Sequence, residues 1–133
     1  MDYGPFDGII GHSLGAALAY DFLMRQAVNI DSLISFRCAI LFACPRSGVL
    51  WASKTEGVQK ALAANKQGPI SSLPTLHMIG KKDEWLDDCM KVEELCQPGA
   101  FRSVFHDGGH GIPMDLETCS AIVADISELV STL

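Results

Sequence analysis

The sequence predicts an α/β fold: a parallel sheet with helices on both faces. Three observations carry this expectation. Apolar, strand-like runs alternate with helical stretches along the chain, which implies parallel strands joined by right-handed crossovers. The run Cys38-Ala-Ile-Leu-Phe-Ala-Cys44 is continuously apolar rather than alternating, as expected of a strand buried on both faces. The carboxyl end repeats apolar residues at helical spacing behind an aspartate placed to cap it.

In chain order, Phe6–His12 reads as a short strand with Phe6, Ile9 and Ile10 apolar, and Gly11 marks an abrupt turn. A helix is expected from Ser13 to about Gln26, with Leu14, Ala17, Leu18 and Phe22 as its apolar stripe and Asp21 and Arg25 off it. The strand Cys38–Cys44 stops at Pro45. Helices are expected near Lys54–Asn65 and Asp88–Cys96, the second placing Cys89 and Cys96 on one core-facing side. Thr75–Gly80, between Pro74 and the glycine that ends it, and Phe101–His106, stopped by Asp107-Gly108-Gly109, read as further strands. In the last helix Leu116, Cys119, Ile122, Val123, Ile126, Leu129, Val130 and Leu133 form one stripe behind Asp115.

A chain of 133 residues has the size of one domain, 48% hydrophobic and 20% charged, which is globular rather than disordered. A net charge of −6 leaves no electrostatic footprint for nucleic acid, and the lysines form no basic run for an anionic membrane. The longest purely apolar run is too short to cross a bilayer. The first basic residue is Arg25, so no charged leader is expected at the amino end. Five cysteines without a Cys-x-x-Cys pair read as reduced, buried thiols, with no metal site and a cytoplasmic location.

The chemistry begins at Gly11-His12-Ser13-Leu14-Gly15. Between an apolar strand and an amphipathic helix, this is the nucleophile elbow of an α/β-hydrolase, which lifts Ser13 Oγ clear of the sheet. Gly11 and Gly15 are expected to lack the Cβ that would collide where strand and helix approach. The Leu14 N–H, at the helix start, points toward a developing oxyanion.

A serine hydroxyl needs a base. His110 is the best placed of four histidines, in a Gly-rich loop after a strand and before the last helix. His12 is read as a packing or pocket residue, His77 as a core histidine and His106 as a support of the loop. The base in turn needs an acid to fix its tautomer. Asp83 directly follows a strand; Glu84, Asp87 and Asp88 are its neighbours and rivals. The order Ser13, Asp83, His110 is the order this fold uses.

These segments resemble a known family. Gly4-Pro5-Phe6-Asp7-Gly8-Ile9-Ile10-Gly11-His12-Ser13-Leu14-Gly15, Leu76-His77-Met78-Ile79-Gly80-Lys81-Lys82-Asp83 and His106-Asp107-Gly108-Gly109-His110-Gly111-Ile112-Pro113 are similar to the nucleophile, acid and histidine segments of the FSH-type serine hydrolases. The resemblance implies an esterase or thioesterase acting on small acyl esters or thioesters without a cofactor. Ser13 is then the nucleophile, Asp83 the acid and His110 the base. Fungal relatives release polyketide acids, which brings in an acyl-carrier or polyketide synthase as a partner. Family members commonly carry Phe and Gln where His12 and Leu14 stand.

The family begins with strands, and a His-Gly loop donating a second oxyanion N–H, that have no counterpart ahead of Gly4. The expectation is an N-terminally truncated α/β-hydrolase of about four strands, a single partial catalytic domain over residues 1–133, with 46–73 as a short lid or insert. With Leu14 alone as donor, the rate is expected to fall by about 10²–10³. The unpaired edge at Phe6–Ile10 suggests the alternative of a weak or inactive fragment that self-associates. His12, Trp85 and Ile112 are the candidate substrate contacts, and Trp51 is a further candidate for the acyl pocket.

Overall fold

The structure, a computed structural model, describes residues 4–28, 35–52, 59–60, 63 and 71–133. Apolar segments become the strands β1 (Gly8–His12), β2 (Cys38–Phe42), β3 (Thr75–Gly80) and β4 (Phe101–His106). They pair in the order β1-β2-β3-β4, every pair parallel, with Gly8 opposite Cys38, Ala39 opposite Thr75 and Thr75 opposite Phe101. Helix α1 (Leu14–Ala27) follows β1 and α2 (Arg46–Ala52) follows β2. Helix α3 (Leu86–Met90) and the 3₁₀ turn Lys91–Leu95 follow β3, and α4 (Leu116–Ser131) follows β4. All strands run the same way, so their exits gather at one carboxyl edge, where open α/β sheets place their sites.

Strand alternation divides the core into two layers. Ala39 and Leu41 of β2 pack with Ala16, Ala17, Tyr20, Leu23 and Met24 of α1. Ile40 and Phe42 point the other way, to Leu76, Met78 and Ile122 of α4. The central strands β2 and β3 are buried throughout, while the outer strands β1 and β4 are only partly covered. His77 of β3 lies in this core with its ring edge-on to Phe101 at 6.0 Å, and burial lowers its pKa to about 4, so it stays neutral near pH 7.

The elements depart from expectation in instructive places. Strand β1 begins at Gly8, leaving Phe6 exposed, and β2 ends at Phe42 because Ala43 turns into the left-handed region at φ 47°. Helix α1 buries a different face from the one its spacing suggested. Ala16, Ala17, Tyr20, Leu23 and Met24 face the sheet, while Leu18 and Phe22 stay 46% and 39% exposed. Asp21 is buried with that face, its carboxylate 2.8 Å from the Arg25 Nε. The helix is apolar on both sides, so periodicity alone does not choose between them.

Asp115 caps α4 by accepting the Thr118 N–H at 2.9 Å, as its position suggested. Only Ile122 of the α4 stripe is fully buried, Ile126 and Leu129 pack beside it, and Leu116, Val123 and Val130 remain exposed. The helix expected over Asp88–Cys96 starts earlier, at Leu86, and tightens into the 3₁₀ turn, leaving Cys96 extended. Cys89 and Cys96 therefore reach different clusters, the first with Ala43 and Ile79, the second with α1. Of the helix expected near Lys54–Asn65 the described residues are Gln59, Lys60 and Ala63, all helical; the rest of it, like most of the segment 46–73, lies outside the described residues, and α2 is the described start of that segment. Among the described residues, no helix is long and apolar enough to cross a membrane.

Candidate active site

Strand β1 ends at His12 and α1 begins at Leu14, so Ser13 alone turns the chain. It does so at φ 54°, ψ −121°. An L residue held there costs on the order of 1–3 kcal/mol, which the surroundings must impose. The Ser13 N–H donates to the Phe42 carbonyl at 2.9 Å, and the Ser13 carbonyl accepts the Ala17 N–H at 3.0 Å. A Cβ on Gly11 would lie 2.6 Å from the Ala16 Cα and the Gly15 carbonyl oxygen, so the strand passes beneath the helix only as glycine. Gly15 is different: it is exposed, and a Cβ there would meet nothing within 4 Å. The steric role expected of both glycines belongs to Gly11, because only the strand side of the elbow is crowded.

Across the carboxyl edge, the loop after β4 carries His110 to Ser13. The Ser13 Oγ lies 2.7 Å from His110 Nε2, and His110 Nδ1 lies 2.9 Å from Asp83 Oδ2. Asp83, on the turn after β3, has a fully buried side chain, and its other oxygen accepts the Trp85 N–H at 2.8 Å. Geometry separates it from its rivals. Glu84 and Asp87 are exposed, and Asp88 instead accepts the Ser47 N–H and hydroxyl. The loop is laced to the end of β3 by Lys81 N–H to the His106 carbonyl at 2.9 Å and Lys82 N–H to the Gly108 carbonyl at 3.0 Å. His106 supports it through Nδ1, which accepts the Gly108 N–H at 3.1 Å.

A cavity of about 280 Å³ opens on this row, lined by Ser13, Leu14, Pro45, Ser47, Gly48, Trp85 and His110. Trp85 is thus at the site. The other two candidate contacts are not on its walls. His12 turns its Nε2 to the His110 backbone carbonyl, 2.8 Å away. Ile112 lines a separate groove with Phe105, His106 and Met114, because the loop beyond Gly111 has no regular repeat to return its side chain to the serine. The wall made by Pro45, just before α2, and by Ser47 and Gly48 within it had no sequence signal: a Gly inside a seven-residue helix reads as loop. A Cβ on Gly48 would sit 2.9 Å from Pro45 Cγ and 3.2 Å from Ala17 Cβ, so glycine lets α2 approach α1 here. Among the described residues, no group of three or more His, Cys, Asp or Glu side chains is arranged to hold a metal ion.

A family model described as serine hydrolase (FSH1) matches residues 1–122 of the chain. The chain belongs to this family. It is 34% identical to the esterase FPY3 of Fusarium mangiferae, a match covering 96% of this chain and 58% of that protein. It is 32% identical to the esterase OVCA2 of Danio rerio, over 84% of this chain and 45% of the relative. This FSH1 serine hydrolase chain therefore spans about half the length of the curated relatives it matches.

Solved structures support the architecture. An esterase from Rhizomucor miehei superposes with a TM-score of 0.62 at 13% identity, over 93% of this chain and 51% of that one. The serine hydrolase CarC, involved in carbazole degradation, gives 0.59 at 14% identity, over 100% of this chain and 66% of that one. At such identities the likeness speaks for the fold: the FSH1 chain has the α/β-hydrolase fold. In it the nucleophile-motif serine, a histidine and an aspartate leave three different strands and meet in one hydrogen-bonded row.

Proposed function

We propose that this chain carries the catalytic centre of a serine esterase, with Ser13 as nucleophile, His110 as base and Asp83 as acid. The observation that carries the reading is the continuous row from Ser13 Oγ through both His110 nitrogens to Asp83, at 2.7 and 2.9 Å. Ser13 Oγ attacks the carbonyl carbon of a carboxylic ester while His110 Nε2 takes its proton. Asp83 keeps the opposite proton on Nδ1 and stabilises the imidazolium. The Leu14 N–H, first in α1 and without a helical partner of its own, faces the developing oxyanion. His110 then protonates the leaving oxygen, and water activated by the same base releases the acid from Ser13.

The names of the relatives favour an ester. A thioester, including an acyl chain on a carrier of a polyketide synthase, fits the same steps with sulfur as the leaving atom. Trp85 is assigned to the acyl wall. Residues 1–133 act in this reading as a single, partial catalytic domain, and Ser47 and Gly48, at the described start of the segment 46–73, border its cavity. A fluorophosphonate probe is expected to form one adduct, mapped by mass spectrometry to the peptide containing Ser13. An adduct on another residue, or none, would overturn the assignment.

A second reading rests on β1. Among the described residues no strand pairs with its outer edge, and Ile10 is 65% exposed beside a groove lined by Ile9, Ile126 and Val130. Two copies joined at this edge would extend the sheet and cover that surface. Light scattering is expected to give a dimer that Ile10→Lys converts to monomer; a concentrated wild-type chain that stays monomeric would sink the idea.

A further inference from the structure

We propose that His12 is a positioning residue for the base: its Nε2–H holds the His110 main-chain carbonyl and so sets the distance from His110 to Ser13. The proposal rests on the triad reading above. Its starting point is the 2.8 Å contact from His12 Nε2 to the His110 carbonyl oxygen, which joins residues 98 positions apart. A carbonyl oxygen can only accept, so Nε2 must carry the proton and the His12 tautomer is fixed. The two rings lie 5.5 Å apart at 49°, and both residues are half-buried.

The placement of this bond gives it a task. The ties from Lys81, Lys82 and the Gly108 N–H hold residues before His110, and the next beyond it is at Pro113, whose carbonyl accepts from Cys119 Sγ at 3.2 Å. Asp83 holds the imidazole itself. The His12 contact secures the backbone at His110, on the side where the chain leaves toward Ile112. His12 is also the residue next to Ser13, the last of β1, opposite Phe42. One rigid turn therefore presents the nucleophile and grips the base that must meet it. Small displacements of a catalytic group are expensive in rate, so a grip of this kind acts on the chemical step rather than on binding.

The test compares His12→Phe, which keeps a flat ring without a donor, with His12→Gln, whose amide nitrogen stands as many bonds from Cα as Nε2 does. His12→Phe is expected to lower the phosphonylation rate of Ser13, and kcat for a simple ester, by about tenfold, with KM changed less than about twofold. His12→Gln is expected to restore the rate to within about threefold of wild type. Nitrogen-15 spectra of the imidazoles give a readout apart from catalysis. They should show the Nε2–H form of His12 in the wild type, and shifted His110 signals in His12→Phe.

A labelled wild type with an equally fast His12→Phe, or a His12→Gln as slow as His12→Phe, would overturn the positioning role alone. So would a His12 protonated on Nδ1 only. A wild-type chain that takes no label at Ser13 would overturn the triad reading and this inference with it.

Discussion

Asp83→Asn is expected to lower the rate of ester hydrolysis by about 10⁴ while leaving the fold in place. Each oxygen of Asp83 has a partner of its own. Oδ1 accepts the Trp85 N–H and Oδ2 meets His110 Nδ1, with the side chain shut off from solvent. An asparagine can keep the first bond through its carbonyl. It then turns an NH₂ toward Nδ1, which can pair only by becoming an acceptor. The imidazole proton moves to Nε2 and faces the Ser13 hydroxyl, so the base is already protonated where it must accept a proton. Steady-state kinetics and the rate of phosphonylation check this together. Activity within tenfold of wild type would remove Asp83 from the mechanism.

Gly80→Ala is expected to damage both stability and rate. A Cβ at Gly80 would stand 2.1 Å from the Gly109 carbonyl oxygen and 2.6 Å from that of Gly108. Both are main-chain atoms of the loop that carries His110, so no side chain can swing aside to make room. The loop must lift from the end of β3, loosening the Lys82 N–H to Gly108 bond and moving His110 away from Ser13. Overpacking of this sort costs about 1–3 kcal/mol, and a base misplaced by about 1 Å costs about 10² in rate. Denaturant unfolding and phosphonylation rates measure the two effects. Gly109→Ala is the stability comparison, since its Cβ would find only the Lys82 carbonyl oxygen at 3.7 Å, an ordinary contact. Equal stability of the two variants would contradict the crowding argument.

The sequence carried the sheet because its signals were local and strong. Thr75–Gly80 and Phe101–His106 become strands over the very residues their apolar runs and flanking Pro and Gly mark. The meeting of Ser13, Asp83 and His110 was legible for a related reason: each directly follows a strand, and parallel strands bring their exits to one edge. What stayed hidden depends on choices among equals or on distant contacts. Helix α1 has an apolar residue on almost every side, so nothing local says that Tyr20 and Leu23 turn inward and Leu18 and Phe22 outward. Ala43 gives no sign that it will take a left-handed turn, and so β2 ends two residues short of the apolar run that marks it. Ile112 follows His110 closely in sequence yet lines another groove, since an irregular loop imposes no repeat. The bond from His12 to the His110 carbonyl spans most of the chain, beyond any pattern of spacing.

The left-handed turns at Ser13 and Ala43 stand side by side, each directly after one of the paired residues His12 and Phe42. Neither is a glycine, so each bend is uphill for its own residue by on the order of 1–3 kcal/mol. Local preference would straighten both; the packed layers of β2 and β3 keep them bent. The shape of the cleft is therefore a property of the interior rather than of the loops around it. Softening the interior would let the mouth of the cleft relax before the sheet came apart, so on warming the protein should lose its working geometry earlier than its fold.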